Sequence, residues 1–265
     1  MVLIKSRRYG DRKTRIWRFL MEEIRDDILL ECELLLLSFA TGIQDAAAWP
    51  DYSCFASNQT GNTLFLAIGV AGLTNNAYSF PNIGISLSMF VAGGLVLGQI
   101  GNYVGVRRRL WILISNIIQT SLVFAAVYVQ YSLPIQRDGP AAMAVIALLA
   151  FSSGGQVAMS RSLKITEITT AMATAAFVDL VVDPGLMKLR NRLRNRRFMF
   201  IVMLSAGCFV GAFAQREISS TLPLLLCAIG KAVVTLGFLF NRPIDKQNLK
   251  ESALSRVSSE SSEIC

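Results

Sequence analysis

The 265-residue chain is 53% hydrophobic and only 17% charged, and it carries a net charge of +8 with no histidine. Soluble domains average about 25% charged residues, and the charges here are gathered in a few short stretches, which indicates a membrane protein. The basic residues flank apolar segments, which favours a membrane surface over nucleic acid as their partner. The absence of histidine removes the commonest metal ligand and the commonest general base.

Six segments are predicted to be membrane helices, because a bilayer core of about 30 Å needs roughly 20 helical residues. In chain order they are Ile28–Trp49, Ile83–Tyr103, Trp111–Tyr131, Ala141–Ser160, Phe198–Ala214 and Leu222–Phe240. Two weaker segments, Thr60–Leu73 and Ile165–Val182, are predicted to be short crossing helices or broken, re-entrant ones. The predicted fold class is therefore all-α, a polytopic transmembrane helix bundle with six strong helices and two short or broken segments.

Clusters of basic residues predict the orientation of the bundle. They lie at residues 5–25, 107–109, 188–197 and 242–256. All four fall on one side if only the six strong segments cross, and the positive-inside rule then places both termini in the cytoplasm. If both weak segments also cross, the cluster at 107–109 moves outside while the termini stay inside.

The same pattern divides the chain into three regions. We expect a basic cytoplasmic tail over residues 1–27, a transmembrane helical domain over residues 28–240, and a polar, disordered cytoplasmic tail over residues 241–265. The basic loops on the cytoplasmic side are expected to contact anionic lipid of the bilayer, because lysine and arginine near a membrane are attracted to its negative headgroups.

The two halves of the membrane domain show a partial internal echo. The pattern G-x-Q-x-A occurs at residues 42–46 and again at residues 154–158. In each half, over residues 28–131 and 141–240, a strong segment is followed by a weak one and then by two strong ones. Transporters are often built from such repeats, with broken helices beside a central site. Six crossings would make the repeats inverted and eight would make them parallel; chance similarity between apolar segments is the alternative.

The first half also carries a family resemblance. G-x-x-D-A at residues 42–46 is followed by an aromatic residue, Phe55, and by T-G-N at residues 60–62. These elements resemble the G-x-x-D-A, aromatic and M-T-G-N-like elements of the YoaK-like family, with Gln59 where many members carry methionine. That family consists of uncharacterised multi-pass membrane proteins labelled a domain of unknown function. The resemblance, over about residues 28–240, implies a membrane protein and brings no reaction, cofactor or substrate.

Nine residues beside the weak segments form the predicted solute site. They are Gln44, Asp45, Asn58, Thr60, Gly61, Asn62, Gln156, Thr169 and Thr170. Asp45 is central, because an ionisable residue inside a membrane is costly and indicates a function by default. The alternative is that Asp45 lies at the interface and is solvated. Asn58 and Thr60 also fit helix capping without a ligand, and Gln156 and the two second-half threonines also fit hydrogen bonds between helices.

Two further charges lie in or beside apolar segments. Lys231 is in the middle of a predicted helix, and we expect it to pair with a carboxylate such as Asp45 rather than to snorkel or to mark a pathway. Glu167 is expected to be a second ionisable site or a first-turn charge favoured by the helix dipole. The five cysteines have no paired spacing and are interpreted as small apolar residues.

Catalytic patterns are absent from the sequence, which has no P-loop, no G-x-S-x-G, no metal-spaced set of ligands and no dinucleotide fingerprint. We therefore expect no enzymatic activity, no cofactor and no metal site. The sequence favours a carrier or permease for a small polar or ionic solute, with Asp45 as the coupling carboxylate. The alternative is a non-transporting scaffold or sensor, whose polar residues are all used by caps and interhelical bonds. A pocket between the weak segments would favour the carrier, and a dry, filled interface would favour the scaffold.

Overall fold

The computed structural model describes residues 14–73, 79–134, 137–188 and 190–244. Nine helices lie in these parts of the chain: α1 (14–21), α2 (Ile28–Tyr52), α3 (Gln59–Val70), α4 (Phe80–Val104), α5 (Arg109–Ser132), α6 (Pro140–Ser162), α7 (Ala173–Val181), α8 (Arg192–Glu217) and α9 (Thr221–Gly237). Two isolated β-bridges are the extended pairings found there. The predicted all-α class is confirmed, while most of both predicted tails lies outside the described residues.

Side-chain caps begin several of these helices. Asp27 accepts a hydrogen bond from the N–H of Leu30 at 3.2 Å to start α2, and Ser79 accepts from the N–H of Asn82 at 3.4 Å to start α4. Such caps satisfy backbone donors that have no partner within the helix. At its other end α2 stops at Ser53, whose left-handed φ of 53° turns the chain out of the helical path.

Four helices, α4, α5, α6 and α8, are long and apolar enough to cross a membrane. The shortest of them has 23 residues, which corresponds to about 35 Å and exceeds a hydrocarbon core of about 30 Å. The other two strong segments also form helices, but α9 has only 17 residues and α2, with 25, is not among the apolar spans. The membrane-span character that we expected of six helices is therefore found in four.

One end of the bundle, here called the terminal end, gathers the segments next to both chain termini. The N–H of Ile24 donates to the carbonyl oxygen of Arg107 at 3.0 Å, and that of Arg25 to the carbonyl oxygen of Arg242 at 2.9 Å. The guanidinium of Arg107 donates to the carbonyl oxygen of Leu163 at 2.9 Å. The starts of α2 and α5 and the ends of α6 and α9 therefore lie together.

The opposite end, here called the distal end, joins the remaining helix tips. The Asn82 side chain donates to the carbonyl oxygens of Tyr52 and Arg137, each at 2.9 Å. The end of α2, the start of α4 and the segment before α6 therefore meet there. The six long helices thus alternate in direction, and α2 and α6 run in opposite directions.

The two weak segments form α3 and α7, of 12 and 9 residues. At 1.5 Å per residue they extend for only about 18 Å and 14 Å, too short to cross a bilayer core. Helix α2 ends at the distal end and α4 starts there, so the segment that holds α3 begins and ends at that end. Helix α6 ends at the terminal end and α8 starts there, so the segment that holds α7 begins and ends at the terminal end. Both segments are therefore re-entrant in the bundle.

Helices α2–α5 and α6–α9 pack in one pattern. Helix α2 packs on α8 and α9, just as α6 packs on α4 and α5, and α5 packs on α9. Each short helix packs on the long helix that follows it, α3 on α4 and α7 on α8. Because α2 and α6 run in opposite directions, the two halves are arranged as inverted units, and the long helices of each half are interleaved with those of the other.

Glycines set the close approach of the helix pairs α2–α8 and α4–α6. A Cβ at Gly207 of α8 would overlap the carbonyl oxygen of Phe39 on α2. A Cβ at Gly93 of α4 would overlap the carbonyl oxygen of Phe151 on α6 in the same way. Small residues allow such backbone contact between helices in a membrane, where packing replaces the hydrophobic effect as the source of association.

A buried ion cluster fastens the terminal end. Arg196 of α8 is 7% exposed and contacts Asp26 at 2.6 Å, Glu31 at 2.8 Å and Glu167 at 3.5 Å. These carboxylates come from the segment before α2, from α2 itself and from the second re-entrant segment. Glu167, predicted to be an ionisable site or a first-turn charge, therefore belongs to an ion cluster that joins α8 to three other parts of the chain.

A second buried arginine binds the segments that precede α2 and follow α9, both at the terminal end. Arg109, at the start of α5, is 1% exposed, pairs with Glu22 at 3.0 Å and donates to the carbonyl oxygens of Phe19 and Asn241. Its guanidinium also lies 3.7 Å from the centroid of the Phe19 ring, a favourable cation–π arrangement. The described end of the predicted N-terminal tail thus packs against the bundle.

Candidate functional site

Asp45 holds the first re-entrant segment. It lies two turns before the end of α2, and its Oδ1 accepts hydrogen bonds from the N–H groups of Ala56 at 3.0 Å and Ser57 at 2.9 Å. Its Oδ2 accepts from the Ser57 hydroxyl at 2.5 Å. Because a residue inside α2 binds residues 56–57, the chain after α2 folds back toward the interior of the bundle before α3 begins.

Asn62, in the first turn of α3, closes the same segment from the other side. The N–H of Phe55 donates to its Oδ1 at 2.9 Å, and its Nδ2 donates to the Phe55 carbonyl oxygen at 2.8 Å. Ser86 of α4 donates to that carbonyl at 2.6 Å. Asn58 caps α3, since its Oδ1 accepts from the N–H of Gly61 at 3.3 Å. Asn62 thus shapes the loop that presents the start of α3.

The second re-entrant segment is shaped by local bonds and by an uncommon backbone conformation. The Thr169 hydroxyl donates to the carbonyl oxygen of Met172 at 2.8 Å and accepts from its N–H at 3.1 Å. Lys164 and Thr170 have left-handed φ angles of 59° and 63°, which a β-branched threonine rarely adopts. Thr170 is fully buried, and its hydroxyl has no partner within the described residues.

A cavity of about 950 Å³ lies between the two re-entrant segments. The start of α3 contributes Asn58, Thr60 and Gly61, and the start of α7 contributes Met172, Ala173 and Thr174. Asp45 from α2, Arg161 from α6 and Cys208 from α8 also line it. The first turns of both short helices therefore border one common space.

The cavity has an apolar wall beside its polar groups. Trp49 and Phe55 both line it, and their rings stack with centroids 4.9 Å apart and planes 21° apart. Phe65 of α3 packs on Trp49, with ring centroids 4.9 Å apart. A cavity with apolar walls and a few convergent polar groups is typical of small-molecule sites.

The electrostatics of the cavity favour negative charge. The N-terminus of a helix carries partial positive charge and unpaired N–H groups, and two such termini border the space. Helix α7 has no side-chain cap at its start. Within the described residues Arg161 forms no ion pair, whereas the carboxylate of Asp45 is hydrogen-bonded to two amides and a hydroxyl.

Gln44 and Gln156 belong to a different polar cluster, at the centre of the bundle. Gln44 donates to the Ser153 hydroxyl at 2.7 Å, and Gln156 donates to the Thr41 hydroxyl at 2.8 Å. The Lys231 amine donates to the Oε1 of Gln156. The expected pairing of Lys231 with a carboxylate is therefore wrong, since its partner among the described residues is an amide oxygen.

The structure separates the nine predicted site residues into three groups. Asp45, Asn58, Thr60 and Gly61 line the cavity; Asn62, Thr169 and Thr170 build the re-entrant segments; Gln44 and Gln156 lie in the central cluster. The sequence analysis missed Arg161 and the start of α7. A single arginine directly after the apolar run 141–160 was the available signal for Arg161.

No group of three or more potential metal ligands occurs among the described residues. No curated protein and no solved structure matches the chain. A family model described as a protein of unknown function (DUF1275) matches residues 34–237. The match runs from α2 to the last residue of α9 and includes both re-entrant segments, so the chain belongs to the DUF1275 family, the YoaK-like family of the sequence resemblance.

Proposed function

We propose that the protein is a membrane carrier for a small polar or ionic solute, which binds in the cavity between the starts of α3 and α7. The observation that carries the proposal is that the two re-entrant helices of the inverted halves begin at one cavity. In carriers built from inverted repeats, the solute site lies near the middle of the membrane beside broken helices. Alternating access then follows from movement of one half against the other.

We further propose six crossings with both termini in the cytoplasm. Helices α2 and α9 pack among the four apolar spans and alternate with them in direction. Polar residues are tolerated in a membrane helix where they face other helices, as Gln44 on α2 and Lys231 on α9 do. The described basic clusters lie at the terminal end, which the positive-inside rule assigns to the cytoplasm.

A small anion is the solute that fits the cavity best. Two helix N-termini and the Arg161 guanidinium supply positive potential, and the start of α7, which has no side-chain cap, suits an acceptor oxygen. The carboxylate of Asp45 already accepts hydrogen bonds from the backbone N–H groups of residues 56 and 57. The volume of about 950 Å³ lies within the usual range for small-molecule sites.

The alternative, a scaffold or sensor without transport, accounts for part of the polar residues. Asn62 and Thr169 bind only neighbouring loop atoms and helices among the described residues, as a scaffold requires. A scaffold also requires a filled, dry interface between the two re-entrant segments. A cavity of about 950 Å³ lies there instead. The cavity therefore favours the carrier.

Thermal unfolding of the purified protein tests the site. We expect acetate, phosphate, sulfate or succinate to raise the melting temperature, because a ligand that binds only the folded state stabilises it; serine and glycerol serve as neutral probes. Arg161→Gln and the cavity-filling Ala212→Phe should abolish the shift. The matched variants Arg216→Gln and Val210→Phe, on α8 and outside the cavity lining, should keep it. A shift that survives both cavity variants would contradict the proposed site.

Uptake into vesicles then tests transport itself. An anion that stabilises the protein should accumulate in proteoliposomes more quickly than in protein-free vesicles, and Ala212→Phe should lower that rate to the protein-free level. Binding without uptake under either orientation of a proton gradient would support the sensor instead.

A further inference from the structure

A buried amine stands outside the cavity. Lys231 is 2% exposed in the middle of α9, a helix that packs on α2, α5 and α8. Its amine donates to the Oε1 of Gln156, and it forms no ion pair with any described carboxylate. An ammonium in the apolar interior is costly without a carboxylate beside it. The position therefore favours an amine that gains and loses a proton over a permanent cation.

Helix α5, which packs on α9, carries buried side-chain acceptors in the same part of the bundle. Asn116 Oδ1 and Gln119 Oε1 are buried and have no hydrogen-bond partner within the described residues. Helices α5 and α9 contact each other one turn from Lys231, where the hydroxyls of Thr120 and Thr235 lie 3.2 Å apart and Thr235 donates to the Lys231 carbonyl oxygen at 2.7 Å. An ammonium has three donors, so a protonated Lys231 needs more acceptors than Gln156 alone.

Few other ionisable groups face Lys231. Helix α2 presents Glu33, which is 5% exposed and accepts from Asn241 at 2.7 Å; it lies beside Gly237, closer to the terminal end than Lys231. On α9 itself the Cys227 thiol lies one turn earlier, 3.7 Å from the amide oxygen of Gln44. Helix α5 carries no charged residue after Arg109, and the charged residues of α8 lie in its first two turns and its last turn.

The hydrogen bonds of Lys231 reach the contact between the two halves. Gln156 accepts from Lys231 and at the same time donates to Thr41 of α2. Protonation turns Lys231 into a charged donor and so changes the strength of its hydrogen bond to the Gln156 amide oxygen. Because the same amide group donates to Thr41, the change reaches the link between α6 and α2. Both of these helices also line the cavity, through Arg161 and Asp45. The protonation state of one amine is thus joined to the packing on which alternating access depends.

We propose that Lys231 is the proton-binding site that couples solute movement to a proton gradient; this rests on the carrier function proposed above. In the coupling step the lone pair on Nζ accepts a proton from a hydronium ion: the N–H bond of the ammonium forms as an O–H bond breaks, and water is left behind. On the other side that N–H bond breaks and a water molecule accepts the proton, so that no electrons are gained or lost. Glu33 is the carboxylate between this site and the terminal end, and it provides a route for the proton on that side.

A pH jump on proteoliposomes tests the site without any solute. The full-length protein is adsorbed on a solid-supported membrane, and the charge displaced by a step in pH is recorded over a series from pH 6 to pH 9, a range chosen around neutrality. We expect a transient, saturable displacement in the wild type, at least tenfold smaller in Lys231→Met and Lys231→Gln. Lys231→Arg should also lose it, because a guanidinium does not release its proton in this range.

Lys188→Met is the matched control, since Lys188 is an exposed lysine in the loop before α8, and it should leave the displacement unchanged. Melting curves of each variant establish that it is folded; Lys231→Gln keeps an N–H donor at this position, whereas Lys231→Met leaves the Gln156 amide oxygen without its partner and should be the less stable of the two. A displacement of wild-type size in folded Lys231→Met would overturn the proposal.

The two proposals fail in different ways. If an anion stabilises the wild type and Lys231→Met alike, but the mutant loses uptake driven by a pH gradient, both stand. If anion binding is intact and gradient-driven uptake persists in Lys231→Met, the proton site alone is overturned. If no anion binds or enters the vesicles, the carrier function is overturned, and the coupling assigned to Lys231 falls with it.

Discussion

Gln44 of α2 and Gln156 of α6 each donate a hydrogen bond to a hydroxyl on the other helix. Gln44 binds Ser153 at 2.7 Å, and Gln156 binds Thr41 at 2.8 Å. Ser153 lies three positions before Gln156, and Thr41 lies three positions before Gln44. Each bond therefore has the same place in its own half as the other bond has in the second half. The two bonds are therefore equivalent contacts of the two halves.

Replacement of either glutamine by leucine should destabilise the bundle unequally. Gln44→Leu removes the buried hydrogen bond to Ser153 and a weak contact with the Cys227 thiol, and it should lower the free energy of unfolding by about 1–3 kcal/mol. Gln156→Leu should cost more, because it also removes the partner of the Lys231 amine. Denaturant unfolding in detergent micelles measures both. Equal losses in the two variants would contradict the role given to Gln156.

The glycine contact between α2 and α8 should tolerate no side chain. Gly207→Ala places a methyl group on the carbonyl oxygen of Phe39, so the helices must separate, at a cost of about 1–3 kcal/mol. Gly84→Ala is the matched control, because a Cβ at Gly84, also inside a long helix, meets no atom within 4 Å. It should be neutral or slightly stabilising, since alanine is the better helix former. Melting temperatures of the two variants should therefore move in different directions or by clearly different amounts.

Asp45 should prove more sensitive to alanine than to asparagine. Asp45→Ala leaves the N–H groups of Ala56 and Ser57 without their acceptor, at about 1–3 kcal/mol for each buried unsatisfied donor. Asp45→Asn keeps an acceptor oxygen and should hold the segment. Hydrogen exchange at amides 56 and 57 should accelerate in the alanine variant and remain slow in the asparagine variant.

The same pair of variants tests the predicted coupling role of Asp45. If Asp45 is the coupling carboxylate, Asp45→Asn abolishes solute flux while the fold survives. If its main task is to hold the first re-entrant segment, Asp45→Asn retains gradient-driven uptake and Asp45→Ala loses it. We expect the second result, because both oxygens of the carboxylate are bound by residues 56–57.

Two neighbouring arginines of α8 should differ in their contribution to stability. Arg196→Met breaks the buried ion cluster with Asp26, Glu31 and Glu167 and should cost about 3 kcal/mol or more, because the carboxylates lose a buried partner. Arg192→Met removes a cation that is 55% exposed, and it should cost less than about 1 kcal/mol. Urea or mild detergent titrations compare the two variants. A larger loss in Arg192→Met would contradict the assignment of the cluster to Arg196.

Much of the fold follows from local sequence. Apolar runs predict five of the six long helices within about three residues of their observed bounds, as Trp111–Tyr131 does for α5 (Arg109–Ser132). Helix α8 (Arg192–Glu217) begins six residues before the predicted Phe198, because its first turns are basic rather than apolar. The two weak segments, interrupted by polar residues, form the short helices α3 and α7. Whether a helix can cross a membrane depends less on its own sequence. Helix α2 is long enough, but its Glu31 is paired with Arg196 of α8, and the sequence of α2 alone does not reveal that partner.

The sequence by itself determined the helices, their breaks and the family, because apolar length, capping residues and short motifs are properties of adjacent positions. Only the tertiary structure decided which polar residues face one another. Gln44 and Asp45 are neighbours in sequence, but successive residues of a helix point about 100° apart. One side chain therefore reaches across to α6, while the other holds the first re-entrant segment beside the cavity. The cavity itself joins the starts of α3 and α7, more than a hundred residues apart, because the alternating long helices return both re-entrant segments to the interior of one bundle.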